Sequence, residues 1–132
     1  ALQKAGMITS AIWTDLNNDH QPDLVIAGDW MPVRFFKNDH GHLQEFNTGL
    51  SQMNGMWRSL AAADIDHDGD TDLIAGNYGL NCVYHVDSTH PMQLFAADLD
   101  GNGSIDPIPF YYIMGDDGQR HAYPAINRGQ LS

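Results

Sequence analysis

Short apolar runs alternate with polar, glycine-bearing stretches along most of the chain. Runs at residues 10–14 and 24–28 flank one acidic segment, runs at 59–63 and 73–76 flank a second, and runs at 93–97 and 108–113 flank a third. Each run is short, bounded by Gly, Asp or Asn, and several are rich in β-branched or aromatic residues, which predicts strands. No segment carries a helical apolar stripe of useful length. After the first acidic segment, residues 33–37 and 43–46 predict two more strands around Asn38-Asp39-His40-Gly41, a tight turn in which Gly41 can take positive φ. The resulting unit is strand, acidic loop, strand, hairpin, with each loop joining neighbours of one antiparallel sheet.

This unit recurs unevenly. Unit one spans about residues 8–55, unit two about 56–92, and the start of unit three about 93–119, with an irregular tail at 120–132. Residues 78–91 are poorly patterned. Strand-rich repeats of this length point to a propeller or another repeat array. The expected fold is all-β, a repeat array of one of these kinds; read as a β-propeller it would be a partial one of about two to three blades, since a closed ring needs about 4–8.

The acidic segments themselves suggest a metal. Asp64-Ile65-Asp66-His67-Asp68-Gly69-Asp70-Thr71-Asp72 sets aspartates at alternate positions. Asp64, Asp66 and Asp68 fill the first three oxygen positions of a calcium loop, Asp70 falls where such a loop turns a carbonyl inward, and Asp72 is ninth. Gly69 is sixth, at the sharp turn. Asp15, Asn17, Asp19 and Asp23 repeat the spacing, with His20 in place of the glycine; histidine enters the left-handed region more readily than most residues. Asp98, Asp100, Asn102 and Asp106 repeat it again, with Gly103 at the turn. Close carboxylates repel by roughly 1 kcal/mol per pair even in water, and a bound hard cation relieves this. Up to three calcium ions are expected, the second loop binding tightest and the first weakest.

Composition adds limits. The formal net charge is −11, and eleven of the seventeen acids lie in the three loops, so the acidity belongs to them. With six unclustered Lys and Arg, the chain offers nothing to nucleic acid. Cys82 is the sole cysteine, expected as a small buried residue, and no internal disulfide can form. No stretch is apolar for long enough to span a bilayer as a helix. The chain runs from Ala1 to Ser132 without a recognisable terminal signal, and we expect it to be a piece of a longer protein.

Residues 15–28 and 64–77, two acidic loops each running into an apolar strand, resemble the FG-GAP or VCBS repeat, which also forms the calcium-bearing blades of integrin α-subunit propellers. The resemblance covers about residues 8–114. It implies ligands at Asp15, Asn17, Asp19 and Asp23; at Asp64, Asp66, Asp68 and Asp72; and at Asp98, Asp100, Asn102 and Asp106, with the carbonyls of Gln21, Asp70 and Ser104 completing each shell. In that family the loops serve structure and binding occurs elsewhere. The chain departs from the pattern: no Phe-Gly…Gly-Ala-Pro precedes the loops, the second unit is short, and Pro107 follows the third loop. Glycine-rich segments at 76–81 and 115–118 look like those of bacterial extracytoplasmic proteins.

Rival chemistries fare worse. An EF-hand needs a bidentate Glu at the twelfth position, where Ile26, Ala75 and Pro109 stand. The acids have ligand spacing rather than the separation of a glycosidase pair. His40 and His42 are too few for a zinc site, and His67 is expected to point outward. Trp13, Trp30, Trp57, Tyr78, Tyr111 and Tyr112 are expected mainly in inter-blade core, with Trp30 and Tyr78 as equivalent residues that could line one end. The expected protein is therefore a non-enzymatic calcium-binding module with a structural or binding role in a larger extracytoplasmic protein. Its partners would be further blades of the parent chain or a second copy, with a protein or glycan ligand. Two alternatives stay open: part of a carbohydrate-active enzyme or glycan-binding protein, and an integrin-like adhesion module.

Overall fold

The computed structural model describes residues 2–79 and 84–125. The chain divides into two units, Ala1–Gly79 and Leu80–Ser132. Nine strands are present among the described residues, with no helix. Cys82 and residues 126–132 of the expected tail lie outside them.

The first unit holds β1 (Met7–Thr14), β2 (Asp23–Met31), β3 (Arg34–Asp39), β4 (His42–Phe46), β5 (Gly55–Ala63) and β6 (Asp72–Asn77). Strands β1 to β4 form the predicted antiparallel meander, β1 on β2, β2 on β3 and β3 on β4. Its centre is β2, because Leu24-Val25-Ile26-Ala27 is apolar at every position and can be buried on both faces. On one face Leu24, Ile26, Met31 and Phe36 pack with Ala5. On the other, Val25, Ala27, Val33 and Phe35 pack against Ile12 and Leu16 and against Trp57, Leu60, Leu73 and Ala75 of β5 and β6. The period of two along β2 thus supplies both cores. Residues 2–6 cross the first face, where Arg34 Nη1 donates to the Ala5 carbonyl at 2.8 Å.

The acidic loops connect β1 to β2 and β5 to β6, each an antiparallel neighbour pair, as the sequence predicts. A β-bulge interrupts each pair at matching places, between Ile8 and Ser10 and between Trp57 and Ser59. The end of β2 also pairs with β5, Asp29 with Met56 and Met31 with Gly55, joining the two repeats through backbone bonds that the patterning did not reveal. Only two strands of the second repeat are present among the described residues.

The second unit is a three-stranded antiparallel sheet of β7 (Gln93–Ala97), β8 (Asp106–Met114) and β9 (Arg120–Pro124), with the third acidic loop between β7 and β8. β9 corrects the expectation of an irregular tail from Arg120. Its side chains are mostly exposed, so no burial pattern marks it; backbone pairing with β8 after the Asp116–Gly118 turn holds it in place. Residues 84–92 form no strand but pack within this unit. Tyr84 meets Tyr111, His90 meets Tyr112 edge-on at 4.9 Å, and Arg120 Nη1 donates to Asp87 Oδ2 at 2.7 Å.

Candidate metal centres

The three acidic loops share one backbone design. In each, the first aspartate accepts the N–H of the sixth residue: His20 to Asp15 at 2.7 Å, Gly69 to Asp64 at 3.1 Å, Gly103 to Asp98 at 2.9 Å. The third side chain accepts the N–H of the fifth residue, in Asn17, Asp66 and Asp100. The fifth side chain, in Asp19, Asp68 and Asn102, accepts the N–H of Gln21, Asp70 and Ser104. The ninth aspartate reaches back to the N–H of the second residue, Asp23 to Leu16, Asp72 to Ile65 and Asp106 to Leu99. Such side-chain acceptors replace the backbone partners that a tight loop lacks.

Two residues per loop take left-handed φ. At the sixth position these are His20 (64°), Gly69 (94°) and Gly103 (85°), and at the fourth they are Asn18 (58°), His67 (62°) and Gly101 (74°). In the sequence, Gly69 and Gly103 mark the sixth position. The fourth was legible too, because Asn, His and Gly are the residues that tolerate this region best.

The second and third loops gather their carboxylates. Ligand oxygens of Asp64, Asp66 and Asp72 all lie within 4.8 Å of one another, and so do those of Asp98, Asp100 and Asp106. The first two acids of each trio are exposed and the third is partly buried. Converging hard oxygens of this kind fit a hard divalent cation. Asp68 stands outside its trio and Asp70 turns its carboxylate to Asn18 Nδ2 at 2.8 Å.

The first loop differs. Its third position holds Asn17, an amide, where the other two loops have Asp66 and Asp100, so only two acids, Asp15 and Asp23, stand at the positions of those trios. Asp23 is 1 % exposed, and besides Leu16 it accepts the Asn38 N–H on Oδ1 at 2.8 Å. Asp19 Oδ2 lies 3.5 Å from Lys37 Nζ. Gln21 Oε1 accepts the His40 N–H at 3.1 Å. Desolvation pushes the Asp15 carboxyl up, but N–H donors from His20, Asn17, Asp19 and Asn18 together hold it below its ordinary value.

His40 sits at the exposed β3–β4 turn with Nδ1 2.8 Å from Asp39 Oδ1. Trp57 joins the core, while Trp13 is exposed. Trp30 and Tyr78 are not equivalent. Met7 pairs with Asp29, and Met56, which precedes Asp64 as Met7 precedes Asp15, accepts the Tyr78 N–H at 2.9 Å. Tyr78 therefore matches Asp29, and the bulged Trp30, at φ 61°, matches Gly79, at φ 57°. Arg58 lies over the Tyr78 ring and pairs with Asp29 at 3.1 Å.

Residues 15–75 match the family model described as FG-GAP-like repeat. No curated protein and no solved structure matches the chain. The matched span begins at the first residue of the first loop and ends in β6, so it takes in two acidic loops and the strands that follow and join them. Residues 15–75 of this all-β chain are thus similar to FG-GAP-like repeats, which form β-propeller blades.

Proposed function

We propose that this chain is a calcium-binding module with a structural or binding role inside a larger extracytoplasmic protein. The observation that carries the reading is the convergence of Asp64, Asp66 and Asp72, and of Asp98, Asp100 and Asp106, within 4.8 Å. At that separation each carboxylate pair repels by about 1 kcal/mol in water, and more where water is partly excluded. A calcium ion would supply the opposing charge. Asp64, Asp66 and Asp72 would hold it in the second loop with Asp68 and the Asp70 carbonyl, and Asp98, Asp100, Asn102 and Asp106 in the third with the Ser104 carbonyl. These residues hold a turn and present oxygens; the ninth aspartate ties the loop start to the following strand, so an ion there clamps two neighbouring strands. An FG-GAP-like repeat is a structural and binding module, not a catalytic one.

An exterior compartment agrees with this reading, since such repeats are typically extracellular. Among the described residues no helix is long and apolar enough to cross a membrane. The test is calorimetric titration of calcium into the chelator-treated chain, with thermal melting in calcium and in chelator. Binding heat and a raised midpoint are expected. No heat together with an unchanged midpoint would refute the assignment.

A further inference from the structure

The first loop shares the backbone of the other two but meets different neighbours. Four contacts from β3 and its turn fall on it: Asn38 N–H on Asp23 Oδ1, Asn38 Nδ2 on the Pro22 carbonyl at 3.0 Å, His40 N–H on Gln21 Oε1, and Lys37 Nζ beside Asp19 Oδ2. Among the described residues no Lys or Arg forms an ion pair with any acid of the second or third loop. Asp72 and Asp106 each accept one loop N–H, whereas the buried Asp23 has a backbone donor on both oxygens. The Asn38 donor, which has no counterpart in the other loops, takes one of the lone pairs that Asp23 Oδ1 could offer a metal, and the ammonium already supplies positive charge beside the fifth position.

We infer that Lys37 and the β3–β4 turn close the first loop in place of a divalent ion, so that the chain binds two calcium ions and not three. This rests on the calcium reading of the second and third loops and assigns Lys37 as the residue that sets the difference. A loop closed without metal also keeps Asn18 in place against Asp70, bracing the second loop whether or not an ion is present.

Calcium titration of the full chain decides the number. Wild type should bind two ions. Asp66→Asn and Asp100→Asn should each remove one, while Asp19→Asn, which keeps the acceptor of the Gln21 N–H, should leave two. A wild-type stoichiometry of three, or loss of an ion in Asp19→Asn, would overturn the inference. A second arm does not depend on calcium. Lys37→Met retains the aliphatic stem and should lower the melting midpoint in chelator by about 2–4 °C. A midpoint equal to wild type would also overturn it. If wild type bound no calcium at all, the calcium reading would fail, and the Lys37→Met melt would still decide the role of Lys37.

Discussion

Single residues decide whether these loops can form. The fourth and sixth positions need left-handed backbone, and the chain meets that need with Asn18 and His20, His67 and Gly69, Gly101 and Gly103. The acidic loops were legible in the sequence because alternate oxygens are a chemical pattern. The difference between the first loop and the others was not, because Asn38, Lys37 and His40 reach it from the neighbouring hairpin and only the fold brings them there. We expect Asp66→Ala to abolish one calcium-binding event. At free calcium a hundredfold above Kd it should forfeit about 2.7 kcal/mol of stability. In chelator the difference should shrink, since the substitution also removes a like charge; urea denaturation under both conditions checks this. Gly28 is a second decisive residue. A methyl group there would overlap the Met7 carbonyl oxygen and crowd Ile8 Cα, both backbone atoms that cannot swing aside. Gly28→Ala should therefore destabilise the first unit by about 1–3 kcal/mol or more, read as a lower urea midpoint with calcium binding at the third loop retained.

At the scale of elements, the strands that the sequence revealed are those with buried or bounded apolar runs, β2 above all. β9 was missed because four of its five side chains are exposed, so backbone pairing alone defines it. The segment before β7 was unreadable for another reason: polar side chains fix it. Asp87 accepts from the Thr89 hydroxyl, from the N–H groups of Thr89 and His90, and from Arg120 of β9 at 2.7 Å. The Thr89 hydroxyl is the largest influence holding the Asp87 carboxyl far below its ordinary value of 3.8; desolvation opposes it, and the Thr89 and His90 donors reinforce it. A carboxylate depressed in the folded state stabilises above its unfolded pKa, and the effect fades as pH falls toward the folded value. The turn should thus stay ordered at neutral pH and well below 3.8, loosening only in stronger acid. Hydrogen exchange at the Thr89 and His90 amides should report this, and Asp87→Ala should show fast exchange at every pH. Equal protection in Asp87→Ala and wild type at pH 7 would contradict the account.

At the scale of the whole molecule, burial is distributed unequally. Among the described residues every buried apolar side chain belongs to the first unit, from Ala5 to Phe36. The three-stranded sheet of the second unit instead leaves Phe95 at 55 % exposure and Met114 at 59 %, with Leu94, Ile113 and Tyr123 also exposed. Leu94 and Phe95 are consecutive in β7, as are Ile113 and Met114 in β8, so apolar side chains are exposed on both faces, and blade-forming repeats cover such faces with neighbouring blades. The physical expectation for a repeat module is that further blades, or a second copy, supply the cover. Uncovered apolar surface of this kind drives association. The isolated chain should therefore self-associate as its concentration rises, seen by sedimentation velocity as a growing weight-average mass. Phe95→Asp should weaken that association while leaving calcium binding at the second loop intact, because the side chain lies on a different sheet from Asp64, Asp66 and Asp72. A chain that stays monomeric over the same range, or a variant that associates as wild type does, would mean that the apolar side chains of this sheet need no partner. Calcium should leave the association in place, since the ions neutralise the loops and do not cover Phe95.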